Sequence, residues 1–173
     1  MKIRKLAVIA MIAALYTGVS ILLAPFSFGS IQVRVAEVLT LLPVLLTESI
    51  IAVTLGCFLT NLIGVLSGNN MLGIIDIIFG TLTTLIAALL TRRFAKVVYR
   101  GYPWLSALPP IILNALVVGA ELAYVLSPSG SFSWQLFWLY TAQVGLGQFL
   151  AVFVLGLPLI KKLAESSFLQ SKN

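Results

Sequence analysis

The chain has no histidine and a single cysteine, Cys57, in 173 residues. One cysteine excludes an internal disulfide, and inside an apolar segment it reads as a small buried residue. Without histidine there is neither a His/Glu metal pattern nor an imidazole base, and no basic group stands near a serine or Cys57 to activate it as a nucleophile. The Gly-Lys-Ser/Thr phosphate loop is also missing, so any pumping must draw its energy from another chain or an ion gradient. The chain therefore reads as no enzyme. Charge is scarce as well: 9% of residues are charged, with five acidic side chains against eleven Lys and Arg.

What fills the chain instead is hydrophobic. A 60% hydrophobic content and a mean hydropathy of +1.10 lie far outside what a soluble domain of this size keeps in water. The chain reads as an all-α polytopic membrane protein, a single domain over residues 1–173. Its start, Met1-Lys2-Ile3-Arg4-Lys5 before an apolar run, superficially resembles a signal peptide. That run is about 18 residues long and ends at Ala24-Pro25 without a polar cleavage region, so it reads as the first membrane helix.

The apolar runs predict six helices, at 6–23, 34–46, 49–66, 72–90, 105–126 and 136–160. Pro25, Pro43, the Ser67-Gly68-Asn69-Asn70 turn, Pro103 with Pro109-Pro110, and Ser127-Pro128-Ser129-Gly130 punctuate them. The second run is short. About 13 residues of α-helix cover roughly 20 Å of a roughly 30 Å core, which predicts a half-length helix pointing into the protein.

Lys and Arg accumulate in cytoplasmic loops. Here Lys2, Arg4 and Lys5 precede the first helix, Arg92, Arg93, Lys96 and Arg100 join the fourth and fifth, and Lys161, Lys162 and Lys172 follow the sixth. Six crossings put all three groups, and both termini, on the cytoplasmic side. The outer loops 24–33, 67–71 and 127–135 carry no charge. The net charge of +6 is thus topology and not a nucleic-acid footprint.

Against this background the stretch Phe28-Gly29-Ser30-Ile31-Gln32-Val33-Arg34-Val35-Ala36-Glu37 stands out, because it sets a guanidinium and a carboxylate among apolar residues. On a helix Arg34 and Glu37 share a face. Ionisable groups at membrane depth face a protein interior or a wet cavity, so the pair is either a salt bridge between helices or part of a solute site. Other polar residues fall at the same outer level: Asn61, Asp76, Glu121 and Gln143, with Asn114 and Gln148 nearer the middle. Asn114, Val117, Glu121 and Tyr124 recur with helical spacing on the fifth helix, as Tyr140, Gln143 and Gly147 do on the sixth. An isolated amide in a membrane helix is more often interhelical glue than a ligand contact. Three carboxylates against one guanidinium are different: their excess charge must be offset by a proton or by a solute that is cationic or rich in hydrogen-bond donors.

On the first helix Ala10, Ala14 and Gly18 recur every four residues. This small-residue stripe lets another helix come close, inside the bundle or from a partner. Ala52/Gly56 and Gly80/Thr84/Ala88 form similar stripes, assigned to internal packing.

The segment 27–37, the run Asp76-Ile77-Ile78-Phe79-Gly80-Thr81-Leu82, the run from Leu108-Pro109-Pro110 through Asn114 to Glu121, and Val154-Leu155-Gly156-Leu157-Pro158-Leu159 together resemble the QueT family. These are small substrate-binding (S) components of energy-coupling factor (ECF) transporters. The resemblance covers nearly the whole chain, with Ala36 and Gln148 standing where Ser and Glu are expected. It implies a six-helix subunit of the bacterial cytoplasmic membrane that captures a queuosine precursor, preQ1 or preQ0, from outside. It also implies partners, a transmembrane coupling protein (T component) and two cytoplasmic ATPases that use the ATP, with no cofactor on this chain. Ala10 and Ala14 match the alanine stripe by which S components meet the coupling protein, and Gly18 extends it.

The implied ligand class suits the residues. A 7-deazaguanine offers N1–H and an exocyclic amine to one carboxylate, and an O6 acceptor to Asn, Gln or Arg. Glu121 is assigned the guanine-like edge with help from Asn114 and Gln143, Asp76 or Glu37 the amine, and Arg34 the orientation of Glu37. Asn61 completes the polar shell, and Tyr124, Tyr140, Trp134 or Trp138 can stack on the ring or anchor the interface. An S component for another vitamin or nucleobase-like solute is the nearest alternative. A self-sufficient carrier is the more distant one, because six helices without visible duplication are few for two alternating repeats.

Overall fold

The computed structural model describes residues 2–29, 33–128 and 131–166; Ser30, Ile31 and Gln32 of the outer loop, residues 129–130 and Lys172 lie outside them. The described residues are helical apart from turns and one isolated bridge between Tyr99 and Tyr102. Helix α1 is Lys2–Leu22, and Pro25 sits at the start of the one-turn α2, Ala24–Ser27. Then come α3 (Ser49–Leu66), α4 (Ile74–Arg93) and α5 (Trp104–Val125). Helix α6 (Trp134–Gln148) runs on through a π-helical stretch, Phe149–Gly156, into α7 (Leu157–Glu165). Five helical spans are long and apolar enough to cross a membrane: α1, α3, α4, α5 and the continuous Trp134–Glu165.

The second apolar run departs from the expectation of a half-length α-helix. It forms a ten-residue 3-10 helix, Val35–Val44. At about 2.0 Å of rise per residue its ten residues cover roughly 20 Å, the length expected of the whole run as an α-helix, so the difference is in winding and not in reach. Arg34, just before this helix, meets Asp76 in the first turn of α4, while the carbonyls of Pro43 and Val44 accept from Arg92 in the last turn of α4, at 3.1 and 3.0 Å. The 3-10 helix therefore follows α4 along most of its length, and Arg92 satisfies carbonyls that a helix end leaves without partners. Three residues per turn stack Glu37, Thr40 and Pro43 in one row, all buried, with Thr40 Oγ1 donating to the Glu37 carbonyl at 2.6 Å.

Packing places this helix centrally. Leu41 and Leu42 form an apolar cluster with Ala107, Val152, Leu157 and Ile160. The π-helical stretch approaches so closely that a Cβ on Gly156 would lie 2.9 Å from Leu41 Cδ1. The stripes Ala52/Gly56 and Gly80/Thr84/Ala88 are buried. Gly56 seats Tyr16 of α1, since a Cβ there would come within 2.8 Å of the tyrosine Cβ. Helix α1 itself is peripheral: Ala13, Tyr16 and Ser20 are its buried residues, against eleven in α5.

Candidate functional site

At the end of the bundle where α4 begins and α5 ends, two loops and three helices bring their polar groups together. Arg34 is buried, because its backbone leaves the 3-10 register in an extended conformation and turns the side chain toward α4. Its Nη2 donates to Asp76 Oδ2 at 3.0 Å, its Nε donates to the Ser27 carbonyl at 3.2 Å, and its guanidinium carbon stands 5.4 Å from the centroid of the Phe28 ring. Asn70, from the turn before α4, donates to the same Asp76 oxygen at 2.7 Å and accepts the Leu72 N–H at 3.0 Å. Asn61 of α3 donates to the Asp76 backbone carbonyl at 2.8 Å and lies 3.6 Å from Cys57 Sγ. Gly80, one turn below Asp76, leaves room for this; a Cβ there would collide with Asp76 Oδ1 and stand 2.9 Å from Asn61 Nδ2.

Deeper in the bundle, Glu37 is held separately. Tyr16 Oη donates to its Oε1 at 2.5 Å, and Asn114 Nδ2 donates to its Oε2 at 3.4 Å. Arg34 does not orient Glu37 by a hydrogen bond, as the helical spacing suggested; it turns to Asp76. Its charge still acts on Glu37, as does that of Asp76.

Glu121 of α5 differs from both. It is 6% exposed, and neither carboxylate oxygen has a hydrogen-bond partner among the described residues. The charges of Asp76 and Arg34 act on it, so the three carboxylates and the guanidinium form one electrostatic cluster. Asp76 Oδ1, Asn61 Oδ1 and Gln143 Oε1 are likewise buried without partners among the described residues. A buried polar group without a hydrogen bond costs about 1–3 kcal/mol, and a charge costs more. Acceptors in this state are matched by a molecule that brings donors.

A family model described as QueT transporter matches residues 6–165. The chain belongs to the QueT transporter family. Comparison with curated proteins and with solved structures gives no match. QueT denotes membrane-embedded S components of transporters, and the five long apolar spans accord with that.

Of the residues singled out from the sequence, the fold brings together Arg34, Asn61, Asp76 and Glu121, with Glu37 and Asn114 alongside. Gln143 is half-buried on α6, and Tyr140 packs beside the Leu72, Val118, Leu122 and Val144 cluster. Tyr124 stands apart at the end of α5, 54% exposed. Gln148 is buried, with Oε1 unpartnered among the described residues. Ala10, Ala14 and Gly18 lie on the exposed face of α1, opposite the buried Ala13, Tyr16 and Ser20.

Tyr16 and Asn70 are the residues that sequence reasoning missed. Tyr16 had a signal, a phenol at helical spacing from Ala13 and Ser20, which marks a face distinct from the small-residue stripe. Asn70 sat in a Ser-Gly-Asn-Asn turn and read as punctuation.

Proposed function

We propose that this chain captures a 7-deazaguanine precursor of queuosine at the outer face of the membrane, and delivers it with an ECF module of one coupling protein and two ATPases. The observation that carries this reading is Glu121, a buried carboxyl group neither of whose oxygens has a hydrogen-bond partner among the described residues, beside an Arg34–Asp76 pair that leaves Asp76 Oδ1 without a partner among them as well. One carboxylate accepting N1–H and the exocyclic amine makes a bidentate, charge-assisted contact. Three carboxylates against one guanidinium favour the aminomethyl form, a cation, over the neutral nitrile. In this reading Asp76 Oδ1 takes the amine, while Gln143 and Asn61 border the ring.

The topology follows the same reading. With the 3-10 helix as a sixth crossing parallel to α4, both ends of the chain and the basic groups lie in the cytoplasm, and the carboxylate cluster opens outward. The exposed face of Ala10, Ala14 and Gly18 then meets the coupling protein, since small residues let two helix backbones approach.

Mass spectrometry of the small molecule retained after gentle extraction tests the proposal, with preQ1 expected; retention of a solute with no donor edge contradicts it. Vesicle uptake supplies the second arm. Transport should require ATP, the coupling protein and the ATPases, whereas ATP-independent uptake by this chain alone would mark a self-sufficient carrier.

A further inference from the structure

At the basic end of the bundle, the α4–α5 connection and α7 build a surface that solute capture does not use. Tyr99 and Tyr102 exchange backbone hydrogen bonds at 3.0 and 3.1 Å, closing a two-residue turn with Arg100 at φ 52° and Gly101 at φ 79°. Positive φ at both central residues is the pattern of a type I′ turn, whose usual first residue is Asn, Asp or Gly. An arginine held there is uncommon, and such outliers collect at functional positions. Its guanidinium carbon lies 5.4 Å from the Tyr99 ring centroid.

Lys161 reaches the same turn from α7. Its Nζ sits 4.5 Å from the Tyr102 ring centroid, and its Cε would be 3.4 Å from a Cβ on Gly101, so the lysine stem packs against the turn. Trp104 donates its indole N–H to the Tyr99 carbonyl at 3.0 Å and packs on Tyr102 and on Phe153, with centroids 5.4 and 5.0 Å away. Phe153 in turn stacks on Phe149 at 4.8 Å. An aromatic row thus leads from the two cations toward the apolar middle of the bundle, and Trp104 and Phe149 are 39% and 41% exposed. No ion pair joins Arg100 or Lys161 to a carboxylate among the described residues.

The geometry points to a seat for one anionic phospholipid, its phosphate between Arg100 and Lys161 and an acyl chain along Trp104, Phe153 and Phe149. Basic groups at a membrane surface attract anionic headgroups, and an indole with one polar edge suits the headgroup level. Positive charge sorted to one side would attract such lipids everywhere along it. The left-handed arginine and the aromatic row give this one place a shape.

Native mass spectrometry of the purified full-length chain, with dioleoyl phosphatidylglycerol and dioleoyl phosphatidylcholine supplied in equal amounts, tests the seat. One phosphatidylglycerol should be retained in preference to phosphatidylcholine. Arg100→Asn, which suits the turn and so preserves the fold, and Lys161→Gln should each lower that preference about fivefold. Lys2→Gln and Lys96→Gln should leave it unchanged, and excess free glycerol phosphate should not displace the lipid. Equal retention of the two lipids, an equal effect of the control variants, or displacement by glycerol phosphate would each overturn the proposal.

Discussion

Tyr16 on α1 donates its phenolic hydrogen to Glu37 Oε1 on the 3-10 helix at 2.5 Å, and both side chains are fully buried. The contact ties the peripheral helix, whose opposite face shows Ala10, Ala14 and Gly18, to a carboxylate beside the candidate site. Tyr16→Phe keeps the ring over Gly56 and removes only the donor. Glu37 is then left with Asn114 at 3.4 Å, and a loss of about 1.5–3 kcal/mol is expected for a hydrogen bond to a charged group. Thermal unfolding in detergent measures it; an unchanged midpoint would show that the bond contributes nothing net.

Arg34 and Asp76 are a buried ion pair, with side chains 5% and 0% exposed. Such a pair is costly to break and cheap to replace as a whole. Arg34→Met alone should therefore destabilise by about 3–5 kcal/mol, and Arg34→Met with Asp76→Leu should recover most of it. A double-mutant cycle on unfolding midpoints reads the coupling. Simple addition of the two losses would contradict the pairing.

Gly80→Ala carries opposite local and site effects. In a helix interior alanine is favoured over glycine by about 1 kcal/mol. Here the added methyl runs into Asp76 Oδ1 and Asn61 Nδ2, both parts of the carboxylate cluster. The variant should lose solute binding by calorimetry while its helix content by circular dichroism stays at the parent level. Full binding would mean that the cluster tolerates displacement.

If the exposed stripe on α1 meets the coupling protein, as proposed, substitutions there should separate capture from delivery. Ala10→Leu with Ala14→Leu adds bulk where the isolated chain has none to meet, so binding of preQ1 by the purified protein should not change. ATP-dependent uptake in vesicles holding the complete complex should fall to background. Uptake at the parent level would move the partner contact elsewhere.

The spans were legible because a bilayer demands long apolar runs; observed and expected bounds for α3 coincide at Ser49–Leu66. Polar residues inside those runs pointed to one end of the bundle for the same reason. Which of them pair was not legible. Glu37 bonds across 21 residues to Tyr16 and across 77 to Asn114, and Arg34 reaches 42 residues on to Asp76. The sequence neighbours Arg34 and Glu37 looked like a pair only if both were helical. Arg34 precedes the helix, and its extended backbone undoes that geometry; nor does any local pattern announce a ten-residue 3-10 helix, which is held by packing between α4 and the π-helical stretch.

Glu121 bears the central claim, and isothermal titration of preQ1 into the purified chain and its Glu121→Gln variant tests it most directly. The substitution removes a buried carboxylate that has no hydrogen-bond partner among the described residues, so the unfolding midpoint should hold or rise. Affinity for preQ1 should fall at least about tenfold, the scale of one lost charge-assisted contact. Unchanged affinity in a well-folded variant would take Glu121 out of the site and contradict the account.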